Sequence, residues 1–139
     1  MISRPIARFI AAQRVGHLAT ADPEGRPVVV PLCFVFDGKV FFSSIDEKPK
    51  RASPEKIRRA QNIRANPEVA LVVDYYDEDW SRLRFVAVRG RARILHSGRE
   101  HARGIRLLRR KYPQYRAMRL EERPVLKIVP WKVFAWEAS

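Results

Sequence analysis

The sequence predicts a mainly β fold, a small β-barrel of six to seven mostly antiparallel strands with short helices between them. Apolar runs of strand length recur along the chain. Turn-forming residues separate them, above all Asp-Pro-Glu-Gly at 22–25 and Asp-Gly at 37–38. Sequential hairpins of this kind close into a barrel. With 139 residues, 46% of them hydrophobic, we expect residues 1–139 to form a single domain with a packed core.

Three short helices are expected between the strands. Apolar residues at helical spacing predict the first over residues 5–13. A serine N-cap followed by proline opens the second, over residues 53–66. A capping box, Ser97 followed three residues later by Glu100, opens the third, which runs to about residue 111.

The predicted strands are apolar or alternating runs bounded by turn residues. Pro31 removes a ladder donor from the middle of the second run, which predicts a bulge or an edge position there. Arg89-Gly90-Arg91 predicts a bulge or bend in the longest run. The predicted strands cover residues 15–21, 26–36, 39–45, 69–76, 83–95, 125–129 and 132–136. A barrel of this size has little interior space, so a ligand is expected on its outside or at a contact between two copies.

Charge and cysteine content restrict the partner and the compartment. The chain has 28 Lys and Arg against 15 Asp and Glu, a net charge of +13, which predicts attraction to nucleic acid, acidic lipid or a phosphorylated small molecule. The single cysteine, Cys33, has no disulfide partner, which indicates a reducing compartment. Residues 1–14 mix basic and apolar side chains, and no apolar run reaches about eighteen residues. We therefore expect no signal peptide, no membrane span and a cytoplasmic location.

The second predicted helix begins in a cluster of cations. Because Ile57, Ala60 and Ile63 mark its apolar face, we expect the cations on its other faces. Cations at a helix N-terminus oppose the macrodipole at about 0.3–1 kcal/mol each, and a bound anion would reverse that cost. The alternative is a solvated helix start, eased by Glu55 pairing with Arg59. The basic residues at or before this start include Lys48, Lys50, Lys56, Arg58 and Arg59.

Few residues offer catalytic chemistry of their own. His96 and His101 are five positions apart and miss the spacing that puts two imidazoles on one helical face. Cys33 shows no neighbouring base in the sequence. We therefore expect no metal and name no catalytic residue. A cofactor that supplies its own reactivity fits such a chain, because hydride chemistry on a flavin-like ring asks the protein mainly for binding and orientation.

Nucleic-acid binding is the alternative from another class. An arginine stripe on the third predicted helix resembles an electrostatic footprint on nucleic acid. Helix-turn-helix spacing, zinc ligands and an aromatic stacking surface are missing from the sequence, so nucleic acid is the less favoured partner. The stripe consists of Arg99, Arg103, Arg106 and Arg110, opposite Ala102, Ile105 and Leu108.

Several short motifs follow one another along nearly the whole chain. They are Asp-Pro-Glu-Gly-Arg-Pro, Asp-Gly, Val40-Phe41-Phe42-Ser43-Ser44, Arg-Ala-Asn-Pro and Val-Ala-Leu-Val-Val-Asp. Their order resembles the pyridoxamine 5′-phosphate oxidase-like family, whose fold is the FMN-binding split barrel. Tyr75-Tyr76-Asp77-Glu78-Asp79-Trp80 followed by Arg89-Gly90-Arg91-Ala92 is similar to the branch that uses the deazaflavin coenzyme F420. The resemblance implies hydride transfer between F420 and a small organic substrate, in a homodimer with the cofactor at the subunit interface.

The resemblance also implies site residues. Those implied for the cofactor phosphate are Arg58 and Arg59, and those suited by charge to the acidic tail of F420 are Lys48, Lys50 and Lys56. Those implied to line or underlie the ring are Phe42, Ser43, Ser44, Val30, Pro31 and Leu32. Those implied to approach the cofactor of the partner chain are Arg84, Phe85 and Val86, with Trp80 on the substrate side.

Two departures from the family pattern bear on the cofactor. The vitamin oxidases carry Arg and Lys in the second strand, where this chain has Val30 and Val35, and their basic, His-containing C-terminal motif is replaced by residues 131–137. Vitamin oxidase activity is therefore not expected. The missing contacts favour F420 over FMN, which stays the alternative cofactor, and a non-catalytic F420 carrier is a further alternative.

Overall fold

The computed structural model describes residues 2–45 and 54–139. They form seven antiparallel strands and three α-helices, with three short 3₁₀ helices in the connections, which confirms the predicted fold class. The helices are α1 (Arg4–Ala12), α2 (Pro54–Ala65) and α3 (Arg99–Lys111). The strands are β1 (Gly16–Ala21), β2 (Pro27–Leu32), β3 (Val35–Phe36), β4 (Phe41–Ser44), β5 (Glu68–Tyr75), β6 (Arg84–Leu95) and β7 (Val125–Glu137).

All seven strands belong to one sheet, in the order β2-β1-β5-β6-β7-β4-β3. Its two outermost strands, β2 and β3, are separated in the chain by only Cys33 and Phe34, so the sheet curls back on itself. Pro31 lies on the edge strand β2, opposite His17 of β1, which confirms the predicted edge position. The predicted bulge is also present, as a register shift between Arg89 and Gly90 where β6 pairs with β7.

Two strand predictions were wrong in their bounds. The run 26–36 is broken before β3, because the backbone N–H and carbonyl of Phe34 bond to the Tyr112 hydroxyl, at 3.1 and 2.9 Å, instead of to a strand. The two predicted closing strands are one strand, β7. The bulge lies in β7, where Trp131 is the extra residue beside Pro130, and it lets the ladder continue past a residue that cannot donate.

The predicted capping box of α3 is also wrong. The N-cap is Gly98, at φ 99°, and no side chain caps the helix. Glu100 pairs instead with Lys127 of β7, so a contact with the sheet displaces the local one. The buried face of α3 consists of His101, Gly104, Ile105 and Leu108, whereas Ala102, expected on the apolar face, is exposed. The predicted N-cap of α2, Ser53, lies outside the described residues.

Aromatic and aliphatic side chains fill the space enclosed by the sheet and the helices. Phe34, Phe41 and Ile10 of α1 belong to the larger buried cluster, whereas Phe42 packs with Leu108 of α3 in a second cluster. The described part of the barrel is therefore packed with side chains, as expected for its size. None of the helices in residues 2–45 and 54–139 has the length and apolar character needed to cross a bilayer.

Candidate functional site

A cleft of about 420 Å³ lies on the outer face of the sheet, across β1, β5, β6 and β7. Two rows of cross-strand neighbours form it. Because side chains alternate between the two faces of a strand, the members of both rows point away from the core. The first row is His17–Val72–Ala87–Phe134, and the second is Val29–Ala19–Ala70–Arg89–Lys132. Pro31, one of the predicted site residues, continues the first row at the edge of the sheet.

Small side chains form the floor of the cleft. Ala19, Ala70 and Ala87 occupy outward positions on three adjacent strands, where larger side chains would fill the space. Val29 and Phe134, 61% and 55% exposed, stand at its two sides. A cleft with an apolar base and a few polar groups at its margin is typical of small-molecule sites.

Two cations face each other at the margin of the cleft. Arg89 and Lys132 are direct cross-strand partners, and neither pairs with a carboxylate among the described residues. Glu68, in the next row, pairs with Arg91 at 3.7 Å and accepts a hydrogen bond from Trp131 at 3.0 Å. Like charges directly opposite each other on adjacent strands are destabilising. A bound anion between Arg89 and Lys132 would remove that cost.

The same sheet face carries further clefts at both ends of the first. One, of about 370 Å³, shares Ala19, Ala70 and Arg89 with it and ends at Trp131. The other, of about 230 Å³, lies beside Phe85 at the start of β6. Large exposed aromatic side chains follow this face, namely Trp131, Phe134 and Trp136. Contiguous apolar surface of this kind is typical of an interaction surface.

The predicted serines lie on β4, away from this cleft. Ser43 donates through Oγ to the Cys33 carbonyl oxygen at 2.6 Å, which ties β4 to the segment after β2. The Oγ of Ser44 is buried and has no hydrogen-bond partner among the described residues. Burying a hydroxyl without a partner costs free energy. A bound group that formed a hydrogen bond with the Ser44 Oγ would remove this cost.

The apolar residues predicted to line or underlie the ring point inward. Phe42, Val30 and Leu32 are all buried in the core. Only their backbone atoms are free to meet a ligand, as the resemblance implied for these segments.

The two arginines predicted for the phosphate differ in burial. Arg58 is exposed, whereas Arg59 is 3% exposed. The expectation that Arg59 leaves α2 on an outer face was wrong, because it shares the core-facing side with Asn62 and Ile63, three and four residues on. Asn62 donates to the Thr20 hydroxyl at 3.1 Å. Lys48 and Lys50 lie outside the described residues, as does the side chain of Lys56.

The third predicted group lies at the start of β6. The Arg84 guanidinium lies 4.0 Å from the Phe9 ring centroid, Val86 is buried, and Phe85 packs on the Trp136 ring, with centroids 5.7 Å apart. Ile94 of β6 pairs with Leu126 of β7, which also pairs with Ser43 of β4, so these residues lie in one row across the sheet. Ile94 is eight positions further along β6 than Val86. Val86 is thus about 26 Å along the strand from the row that contains Ser43. One chain does not bring the two groups together.

The acidic loop before Trp80 is held by its own hydrogen bonds. Asp77 accepts from the Asp79 N–H at 2.8 Å and from the Tyr75 hydroxyl at 3.0 Å. The Asp79 N–H, followed by the Tyr75 hydroxyl, lowers the pKa of Asp77. The Ser81 hydroxyl and N–H likewise lower the pKa of Asp79. These carboxylates are therefore ionised turn-formers, and Trp80, 68% exposed, stands beside them.

The histidines do not gather at one site. His101 is buried against the Arg123 carbonyl oxygen, 2.7 Å from its Nε2, whereas His96 is exposed. Across the described ranges, no three His, Cys, Asp or Glu side chains are grouped as metal ligands would be. No motif in the sequence marked His17, Arg89 or Lys132 as site residues, although all three line the cleft. The sequence feature that could have identified them is the alternation of side chains along the strands, which puts small or polar residues at outward positions of four strands.

Comparison with known proteins identifies relatives of the whole chain. The family profile described as "Pyridoxamine 5'-phosphate oxidase" matches residues 2–137. No curated protein matches the chain. Similar solved structures include the heme storage protein HutZ of Vibrio cholerae, which is 19% identical, with 99% of this chain and 98% of that chain covered and a TM-score of 0.74.

Two further solved structures are 24% identical to this chain. For a FAD-binding protein of Mesorhizobium loti, 99% of this chain and 96% of that chain are covered, with a TM-score of 0.72. For a protein described as an F420 reductase, 96% of this chain and 98% of that chain are covered, with a TM-score of 0.68. At these identities the likeness shows the fold alone.

Proposed function

Since this chain belongs to the pyridoxamine 5′-phosphate oxidase family, we propose that it is a cytoplasmic oxidoreductase that transfers hydride between the deazaflavin F420 and a small organic molecule. The observation that carries this proposal is the cleft with an alanine floor and two cations, Arg89 and Lys132, at its margin. A flat ring fits the floor, and an anionic group fits the cations.

The choice of F420 over FMN rests on charge. F420 has an acidic tail, which suits a chain of net charge +13 with cations beside an apolar cleft. Val30 and Val35 occupy strand positions where FMN-binding vitamin oxidases carry basic residues. A relative with this fold is described as an F420 reductase. FMN remains the alternative cofactor.

The chain's own contribution would be binding and orientation. When bound, the cofactor supplies the hydride chemistry. Ala19, Ala70 and Ala87 would support the ring, while Arg89 and Lys132 would hold the anionic part. Phe134 would limit the access of water to the ring.

A second copy would complete this site. Covering the aromatic sheet face would bury Trp131, Phe134 and Trp136, which one chain leaves exposed. A partner chain could also supply residues that lie far from the cleft within one chain, among them Ser44 and Arg58. We therefore propose a homodimer with the cofactor at the subunit interface. Sedimentation velocity of wild type and Phe134→Glu tests it, with a dimer expected only for wild type.

Titration with F420 and, separately, with FMN tests the cofactor assignment, with the fluorescence of each cofactor followed on one preparation. We expect tighter binding of F420. Arg89→Gln should weaken it about 10–100-fold, since a charge-assisted contact contributes about 1.5–3 kcal/mol. Arg106→Gln, an exposed arginine on α3, is the matched control and should change affinity less than twofold. Tighter FMN binding would establish the alternative, and binding of neither cofactor would refute both.

Lys132→Glu separates an anion site from a merely structural cation pair. It should stabilise the ligand-free protein by about 0.2–1 kcal/mol, because it places opposite charges across the two strands. The same change should weaken F420 binding. A variant that keeps wild-type affinity would exclude this end of the cleft as the site of the cofactor's anionic group. Loss of affinity together with loss of stability would point to general disruption instead.

Turnover distinguishes an enzyme from a carrier. Oxidation of reduced F420 by a panel of quinones, enones and nitro compounds should be catalysed by wild type and slowed in Arg89→Gln. Binding without turnover of any acceptor would support the carrier. DNA retention on a filter that survives Arg89→Gln and fails in Arg106→Gln would support nucleic-acid binding.

A further inference from the structure

Arginines form a stripe along one side of α3. Each is three or four residues from the next, so all of them lie within about 60° of one another around the helix axis. At the usual rise per residue the stripe is about 16 Å long, and neighbouring arginines are about 4.5–6 Å apart along the axis. Arg99, Arg106 and Arg110 are exposed, and Arg103 is half-buried. The helix therefore presents a row of cations to solvent.

Carboxylates leave most of this stripe without a partner in the described part of the chain. Among its four arginines, Arg103 has an ion pair with a described residue, Asp37, at 2.7 Å. Glu100, the acidic residue of α3, pairs instead with Lys127 on the sheet. Like charges three or four residues apart on a helix repel each other. An anion lying along the stripe would relieve that repulsion.

A cleft of about 300 Å³ opens beside the middle of the stripe. Ala102 and Ile105 contribute apolar surface to it, and Arg106 belongs both to the stripe and to the lining of the cleft. Glu121 is also in the lining, where its carboxylate is neutralised by an ion pair with Arg109. The volume lies at the lower end of the range of small-molecule sites, and guanidinium planes stack on nucleobases. One unpaired base would suit this cleft.

The packing of α3 favours nucleic acid over a membrane as the anionic partner. A helix that binds at a bilayer surface inserts an exposed apolar face beside its cations. In α3 that face is used up, because Ile105 and Leu108 are buried in the second cluster. A nucleic-acid strand offers a row of phosphates, and contacts with phosphates need cations rather than a motif that reads base sequence.

We propose that the arginine stripe and its cleft bind single-stranded nucleic acid without sequence preference. Phosphates of the strand contact Arg99, Arg106 and Arg110, while one base enters the cleft beside Ala102. A duplex does not offer such a base, because its bases are paired and stacked. Within the described residues, the lining of this cleft has no member in common with that of the sheet cleft. The surface is therefore separate from the proposed cofactor site.

Fluorescence anisotropy of the full chain with labelled oligonucleotides tests the proposal. The probes are single-stranded DNA, single-stranded RNA and duplex DNA of one length, and we expect both single strands to bind more tightly than the duplex. Three phosphate contacts predict a slope of about −2 for log K against log salt with a single strand. Arg106→Gln/Arg110→Gln should weaken binding about tenfold and reduce the slope to about −0.7.

Two further variants distinguish the stripe and the cleft from net charge. Arg4→Gln/Arg8→Gln is the matched control, because it removes two exposed arginines at the same spacing from α1, and it should weaken binding less than twofold. Ala102→Leu should fill the cleft and weaken single-strand binding severalfold without changing the salt slope.

Three results would overturn the proposal. An equal loss of affinity in the two double variants would show that net charge alone attracts the strand. Duplex binding as tight as single-strand binding would exclude a base in the cleft. Binding to vesicles of anionic lipid, without binding of any oligonucleotide, would assign the stripe to a membrane surface instead.

Discussion

Replacing Tyr112 by phenylalanine removes one hydroxyl that joins three parts of the chain. This oxygen accepts from the Phe34 N–H at 3.1 Å and lies 2.9 and 2.8 Å from the carbonyl oxygens of Phe34 and Arg14. A hydroxyl has one proton, so it donates to one of these carbonyls at a time. Tyr112 is buried, which keeps water from taking over these bonds.

The expected cost follows from the partners that lose their hydrogen bonds. A buried N–H without a partner costs about 1–3 kcal/mol, and the lost donated bond adds about 1 kcal/mol. Tyr112→Phe should therefore lower the free energy of unfolding by about 2–4 kcal/mol. For 139 residues, at the usual unfolding entropy per residue, Tm should fall by about 7–14 °C.

Urea denaturation and thermal melts followed by circular dichroism measure both quantities. Tyr115→Phe is the matched control, because Tyr115 packs edge-on against the Tyr112 ring, with ring centroids 5.7 Å apart, and is half-buried. We expect a loss of less than about 1 kcal/mol for the control. If Tyr112→Phe cost no more than Tyr115→Phe, the hydroxyl would not be what holds these segments together.

Three further predictions concern the strand bulge and two ionisable groups. Gly90→Ala should cost about 1–3 kcal/mol in urea denaturation by overpacking, since its Cβ would lie 2.8 Å from the Val129 carbonyl oxygen; an unchanged midpoint would contradict this. Arg109 lowers the pKa of Glu121 to about 2, so wild type should lose stability as pH falls from about 4.5 to 2. Glu121→Gln should lose less over that window, and identical thermal melts at pH 5 and pH 3 would contradict the argument. Burial, followed by the nearby Arg14 charge, lowers the pKa of Lys111 to about 8. Because the unfolded chain then binds more protons than the folded one between about pH 8 and 10.5, wild-type stability should rise relative to Lys111→Met over that range. Parallel stability curves would show that the amine is not perturbed.

Strands and hairpins were predictable where local chemistry determines them. At the Asp-Gly turn, Asp37 accepts from the Lys39 and Val40 N–H groups at 2.8 and 2.7 Å, and Gly38 adopts φ 99°. Asp37 and Gly38 are thus sufficient to predict this turn from the sequence. The start of α3 was not predictable in this way, because the Glu100 that completes the capping box pairs with Lys127 of a distant strand.

The candidate site was harder to predict than the fold. The sequence predicts an anion at the start of α2, where cations are close together in the chain. The cleft on the sheet depends instead on pairing register, because Ala19, Ala70 and Arg89 become neighbours only when β1, β5 and β6 align. No local motif contains that information. A register error of one residue would also have turned all three toward the core.

The two cation clusters differ in how their cations are held. At the start of α2, Arg58 is exposed, whereas Arg59 is 3% exposed and faces the core. Arg89 and Lys132 are held opposite each other on adjacent strands beside an apolar floor, and both are exposed in one chain. Covering the face by a second chain would reduce the screening of their repulsion, so an anion between them would gain more free energy in a dimer than in one chain. Dimerisation and binding of an anionic cofactor should therefore each strengthen the other.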